Sequence, residues 1–330
     1  MPGVFPHGLL HRYRKSRAVA SGVKEIRGNR VWRIRICGLK ERNGMDMSMY
    51  EAGLVLEGGG MKGIYTAGVL EFFLDKEIEF SSCYGVSAGA CHLCSFLSKQ
   101  KKRAYRVAVN YLDNKRYCGA FSLLTTGDLF GTDMCYDLIP NYLDPYDFEA
   151  FHKYEGKAYA VVTNIRTGKP EYMRLKDMHE DILAVRASSS MPLVSRKVKI
   201  GEEYYLDGGL ADSIPIVRSV ADGNKKNVVI MTKESGFRRA PESGLAAVKA
   251  RYIRYPKVYE LMKVRDKQYN ETLDILEEME AEGKAFIIRP KKKSGVGRVE
   301  KDKRKLDALY EEGYRDAEEC YLDLLEYLSK

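Results

Sequence analysis

The sequence predicts an α/β fold built on a largely parallel sheet. Three observations lead there. From Glu51 onward short apolar runs alternate with helical stretches, a glycine-rich run directly follows the first of those strands, and a G-x-S-x-G pentapeptide lies between a strand and a helix.

The elements follow in order. Leu54-Val-Leu56 is the first expected strand and 66–76 the first helix; Cys83 to Val86 is the second strand, with a helix over 88–99 after it. A third strand is expected over 158–163. Val198-Lys-Ile200 and Tyr204-Tyr-Leu206 flank Gly201-Glu-Glu203, which signals a hairpin. Further strands are expected over 228–231 and 285–288. Residues 118–155 are rich in Tyr, Asp and Gly and read equally as a mobile cap over a site or as a connecting helical region. Residues 242–282 and 300–329 read as long charged helices, joined by the lysine-bearing loop Pro290-Lys-Lys-Lys-Ser-Gly-Val-Gly297. The expected organisation is a basic leader over 1–49, a catalytic domain over 50–235, and a mainly helical C-terminal extension with one strand over 236–330.

The 330 residues carry 55 Lys and Arg against 46 Asp and Glu, a net charge of +9. Residues 1–44 hold eleven of the basic and two of the acidic residues, so the remainder balances at 44 of each. The body is therefore neutral, and no nucleic-acid partner is expected of it. The leader reads as a phosphate- or lipid-binding arm, or as the product of a start assigned too early. The second reading is preferred, because Met45, Met47 and Met49 stand just before the first strand and Lys40-Glu41-Arg42 can be encoded by a purine run of ribosome-binding type. No stretch approaches the ~20 apolar residues that span a bilayer, and the leader has no apolar secretory core. Seven cysteines in no regular framework fit a reducing cytoplasm. Cys91-His92-Leu93-Cys94 lacks the second pair a zinc site needs and reads as packing thiols.

Three motifs carry chemistry. Gly58-Gly59-Gly60-Met61-Lys62-Gly63 lets backbone approach a ligand and leads into a helix N-terminus that favours negative charge, either a pyrophosphate or a transient oxyanion. A dinucleotide site would end the next strand with an acid, whereas here it ends in Gly85-Val86-Ser87. Gly85-Val86-Ser87-Ala88-Gly89, flanked by strand and helix and made of small residues, is the expected context of a nucleophile elbow. Asp207-Gly208-Gly209 follows a strand; alone it would be an ordinary Asp-Gly turn. The histidines are His7, His11, His92, His152 and His179, none after Asp207, so the order Ser, acid, His is not available. A carboxylate that itself deprotonates the serine needs no histidine.

Glycine loop, elbow and D-G-G, in this order and with Ala187-Ser-Ser-Ser-Met-Pro192 before the acid, resemble the patatin-like phospholipase family over roughly 51–235. Arg254-Tyr-Pro256, Tyr269-Asn270 and Arg298-Val-Glu-Lys-Asp302 resemble an extension of bacterial members. The resemblance implies a three-layer α/β/α fold, a Ser87–Asp207 dyad, an acyl-enzyme on Ser87, and an oxyanion hole from the Gly59, Gly60 and Met61 amides, with Gly58 and Gly63 shaping the loop and Lys62 its basic member. Gly85 and Gly89 would form the elbow, and Gly208 and Gly209 the turn after the acid.

The implied activity is that of a serine carboxylic ester hydrolase, a lipid acyl hydrolase of phospholipase A or carboxylesterase type, without metal or cofactor. The expected substrate is a lipid or fatty acyl ester, and the expected place is the cytoplasm or, peripherally, a membrane surface. Part of an acyl channel is expected from residues 121–151. Rival readings are a thioesterase or protein deacylase using the same dyad, a nucleotide-binding regulator using the glycine loop, and a silent lipid-binding scaffold. Head group, chain length and oligomeric state are not legible.

Overall fold

The computed structural model describes residues 49–330. The leader, apart from Met49, and the question of where the chain starts lie outside the described residues. Eight strands form one mixed sheet: β1 (Tyr50–Leu56), β2 (Phe80–Val86), β3 (Lys157–Asn164), β4 (Pro170–Leu175), β5 (Val198–Ile200), β6 (Glu203–Asp207), β7 (Asn227–Ile230) and β8 (Ala285–Ile288). The spatial order is β5-β6-β3-β2-β1-β7-β8, with β4 on β3. The five strands β3, β2, β1, β7 and β8 run parallel, and β4, β5 and β6 are antiparallel additions at one side.

Alternation along the central strands produces the three layers. Leu54, Leu56, Cys83, Ala158, Ala160, Val228 and Ile230 point to one face, where they pack with α1 (Ile64–Asp75) and α2 (Ala88–Leu97). Val55, Tyr84 and Val229 point to the other. That second face is covered by α9 (Pro256–Ala281), through Tyr269, Leu273 and Leu276. Between these in sequence lie α3 (Arg103–Val109), α4 (Ala120–Thr126), α5 (Phe148–His152), α6 (Met178–Ser188), α7 (Ile216–Ala221) and α8 (Leu245–Arg251). Two helices, α10 (Lys303–Glu319) and α11 (Tyr321–Ser329), end the chain.

Two expectations need correction. The sequence reading had no strand at 170–175; Glu171 and Arg174 in a half-buried outer strand hide the apolar signal that buried strands show. The helical stretch expected over 242–282 holds two helices, α8 and α9, and Pro256 opens the second at a position where its missing N–H costs nothing.

The expected extension over 236–330 packs against the residues before it, and residues 49–330 lie in one compact unit. β8 pairs with β7, and α10 lies directly on α1. That crossing is close enough to exclude side chains: a Cβ on Gly313 would sit 2.1 Å from the Tyr65 carbonyl, and one on Gly68 2.0 Å from the Tyr310 carbonyl. Tyr65 also donates to Asp316 Oδ2 at 2.8 Å. Gly313→Ala is therefore expected to cost about 1–3 kcal/mol, the usual range for overpacking, in equilibrium urea denaturation. An unchanged midpoint would mean that the helices separate without cost.

Candidate active site

The register of the sheet brings the three motifs together. Leu56 lies beside Gly85, so the glycine loop after β1 and the turn after β2 leave the same edge side by side. Val86 lies beside Val161, and Asp207 beside the next residue, Val162. β4 occupies the other side of β3, so β6 takes up the line of β2 where β2 ends. Asp207 thus reaches the site from an antiparallel strand approaching from outside the sheet, not from a parallel strand's C-terminus.

Ser87 has φ +54° and ψ −123°, a left-handed backbone that few side chains adopt, and it ends β2 and starts α2. Two neighbours must be glycine for this turn to fit. A Cβ on Gly85 would stand 2.5 Å from Ala90 Cα, and one on Gly89 2.6 Å from the Leu56 carbonyl. The Ser87 N–H donates to Ser188 Oγ at 2.9 Å, and the Ser188 hydroxyl donates to the Val161 carbonyl at 2.6 Å. Ser188 thereby ties the elbow to β3.

Asp207 is 4 % exposed and Ser87 8 %. The Asp207 carboxylate accepts from the Gly209 N–H at 2.7 Å, and Ser87 is near enough to lower its pKa. Burial raises its pKa above the ordinary aspartate value; the Ser87 hydrogen bond, the Arg265 charge, the Gly209 amide and the Arg298 charge oppose that, in this order. Gly208 must lack a side chain, since its Cβ would lie 2.2 Å from the Val161 carbonyl.

The glycine loop differs from expectation in one respect. Among the described residues the amides of Gly59 and Gly60 have no acceptor, but the Met61 N–H donates to the Arg298 carbonyl at 3.0 Å. Met61 is therefore removed from the expected oxyanion donors. The Lys62 N–H turns back to the Gly59 carbonyl at 3.3 Å. Gly58 abuts the elbow, with its hypothetical Cβ 2.9 Å from Ser87 Cβ, and Gly63 faces Ala88 and His92. A buried carboxylate braces the loop from below. Glu57 accepts from the Thr232 N–H at 2.6 Å and hydroxyl at 2.8 Å, and from the Tyr269 hydroxyl at 2.5 Å.

A cavity of about 260 Å³ opens beside Ser87, Gly60 and Met61. Its walls are mainly apolar, with Ile64, Val107, Phe130, Tyr136, Ile139 and Val185 among them. Part of residues 118–155 thus forms a wall: a π-helix over Met134–Leu143 and the segment before it supply Phe130, Tyr136 and Ile139. Burial lowers the His92 pKa to about 4, so it is neutral at physiological pH, and no acid acts on it. His179 is exposed and stacks on Phe148 with ring centroids 3.8 Å apart. Cys94 Sγ donates to the Ala90 carbonyl at 3.2 Å, Cys91 Sγ lies 3.4 Å from Ser189 Oγ, and both residues line the cavity.

The family model described as patatin-like phospholipase matches residues 54–218, which contain all three motifs. The chain belongs to the patatin-like phospholipase family. A second model, a domain of unknown function (DUF6363), matches residues 255–329. This patatin-like chain is 31 % identical over 193 residues to the protein YjjU of Escherichia coli (strain K12), covering 57 % of this chain and 54 % of that one. It is 26 % identical over 197 residues to the probable lipid hydrolase 463L of Invertebrate iridescent virus 6, covering 54 % and 66 %. The matches thus span between about half and two thirds of these relatives' lengths. The crystal structure of VipD from Legionella pneumophila is similar with a TM-score of 0.41 at 13 % identity, over 86 % of this chain and 67 % of that one. In this patatin-like fold, the sequence reading missed Glu57, Thr232, Tyr269, Arg265 and Arg298. Glu57 adjoins the glycine motif and was within reach; the residues on α9 and after β8 carry no local signal.

Proposed function

We propose that the protein is a lipid acyl hydrolase that cleaves fatty acyl esters through a Ser87–Asp207 dyad and an acyl-enzyme. One observation carries the reading: Ser87, on a strained elbow, acts on the buried Asp207 carboxylate beside two glycine amides that lack an acceptor among the described residues. The apolar cavity at the same serine supports an acyl chain as the group transferred.

The chemistry runs in two halves. Ser87 Oγ attacks the acyl carbonyl while its proton passes to Asp207. The Gly59 and Gly60 amides donate to the resulting oxyanion, and the N-terminal end of α2 adds a favourable dipole. Collapse expels the alcohol, which takes the proton from Asp207. Water then attacks the acyl-enzyme, gives its proton to Asp207, and releases the fatty acid as Ser87 recovers its hydrogen. Burial of Asp207 serves this directly, because a carboxylate with a raised pKa is a stronger base than one in water.

A fluorophosphonate probe tests the reading. It is expected to label Ser87 in the wild type and to leave Ser87→Ala unlabelled. Only the ionised form of Asp207 can act as base, so labelling should slow as pH falls through its folded pKa. That midpoint should lie above the value of about 3.9 for a free aspartate. Equal labelling of the Ser87→Ala protein, or a rate that stays constant down to about pH 4, would contradict it.

A further inference from the structure

The C-terminal extension lays three guanidinium groups against one carboxylate oxygen next to the dyad. Glu242 Oε1 lies 2.9 Å from Arg239 Nη1, 3.0 Å from Arg265 Nη1 and 4.0 Å from Arg298 Nη2. Arg265 also donates from Nε to the Gly209 carbonyl at 2.6 Å, within the D-G-G turn itself. Arg298 holds the glycine loop through its own carbonyl. Lys233 donates to Thr232 Oγ1 at 2.9 Å, on the other flank of that loop. Lys62 is on the loop. These five cations act on one another or on Asp207 through space. The carboxylates that act on these cations in turn are Glu57, Glu242 and Asp207, so in this set of named groups cations outnumber anions five to three.

Such an excess is costly where it is partly buried. Arg239 and Arg265 side chains are 13 % and 10 % exposed, and Arg239 Nε has no partner among the described residues. Burial, together with Arg239 and Arg298, lowers the Arg265 pKa to about 10, against the pull of Asp207 and Glu242. Lys233 is lowered as well, by burial first and by Lys62, Arg239 and Arg298, against Glu57. The fold therefore holds like charges together that would be stabilised by an anion. Arg298, with a side chain 53 % exposed, together with half-buried Lys62 and Lys233, opens this cluster to solvent.

We propose that Lys62, Lys233, Arg239, Arg265 and Arg298 form a phosphate subsite that selects lipids with net-anionic head groups. This rests on the acyl-hydrolase reading above and extends it to substrate class. The geometry divides a glycerophospholipid at Ser87. The acyl chain enters a cavity whose walls contain none of Lys62, Lys233, Arg239, Arg265 or Arg298. The phosphate meets guanidinium groups, whose planar forks pair with two oxygens at once. A zwitterionic head group would bring its own cation to an already positive cluster, whereas phosphatidylglycerol or phosphatidate would not.

The test uses the full chain and soluble dibutyroyl phosphatidylglycerol and dibutyroyl phosphatidylcholine. Wild-type kcat/KM is expected to favour the glycerol head group by about tenfold or more, the effect of about 1.4 kcal/mol. Arg298→Gln keeps the carbonyl that holds the loop and removes only an exposed charge. It should reduce that preference to within about threefold, mainly through KM, and the wild-type preference should shrink with added salt. In calorimetry glycerol 3-phosphate should bind the wild type and bind Arg298→Gln at least about fivefold more weakly, as expected on losing a charge-assisted bond. Equal turnover of the two lipids, or a preference unchanged in Arg298→Gln, overturns the subsite while leaving the hydrolase reading intact. If no ester is turned over and Ser87 is not labelled by fluorophosphonate, the hydrolase reading falls. The calorimetry then decides the anion site alone, and absence of binding overturns it.

Discussion

Ser87→Ala and Asp207→Asn are each expected to lower kcat for p-nitrophenyl butyrate by about 10⁴-fold, the scale on which nucleophile and base variants fall. The double variant should be no slower than either single one, because the two groups act in one step. Asp207 is the carboxylate on which Ser87 acts, His92 is neutral in its buried position, and His179 stacks on Phe148. His179→Ala should accordingly stay within about threefold of wild type, as a substitution of an exposed residue away from the chemistry does. Asn at position 207 preserves shape and loses only basicity, so the comparison isolates proton transfer. Asp207→Asn with full activity would show that another base serves Ser87. A His179→Ala loss as large as that of Asp207→Asn would show the same.

Gly60→Ala is the second large effect. Gly60 has φ +57°, where an L side chain is strained, and its Cβ would lie 2.6 Å from the Arg298 carbonyl. That carbonyl is the acceptor of the Met61 amide, so the new methyl group strikes the bond that holds the loop. The Gly60 amide would move with it. Removing one oxyanion donor costs about 10²–10³ in kcat, and loss in that range is expected here with little change in KM. Thermal stability should fall by far less than activity, since the loop is at the edge of the sheet and not in its core. A Gly60→Ala protein with wild-type kcat would mean that the oxyanion is held elsewhere, with the Ala88 amide at the start of α2 the first place to look.

Much of the fold was legible because its signals are local. β1, β2, β3, β7 and β8 are short apolar runs bounded by turn residues, and the elbow announces itself through the small residues that a strained turn demands. The hairpin of β5 and β6 was readable from Gly201-Glu-Glu203. β4 escaped because an outer strand with polar neighbours has no continuous apolar run. The break in the helices after 242 turned on Pro256, whose restricted ring opens a helix as readily as it ends one.

The site divides along the same line. Ser87, Asp207 and the glycine loop were named from residue types and spacing, since each motif meets a steric or chemical demand within a few residues. Met61 was placed with the oxyanion donors by the family resemblance; the acceptor of its amide, the Arg298 carbonyl, comes from 237 positions further along the chain. The contacts of Ser188, Tyr269 and Arg265 were not legible for the same reason.

The order of residues alone thus establishes an α/β sheet with a serine turned out at one edge and a carboxylate destined for that edge. Three-dimensional packing was needed to show that β6 arrives antiparallel, that α10 locks onto α1 through two glycines, and that arginines of the extension gather beside the D-G-G turn. Backbone turns and strand periods are governed by interactions between near neighbours and leave a mark in the sequence. Charge clusters and amide acceptors depend on which distant segments meet, and only the closed fold specifies that.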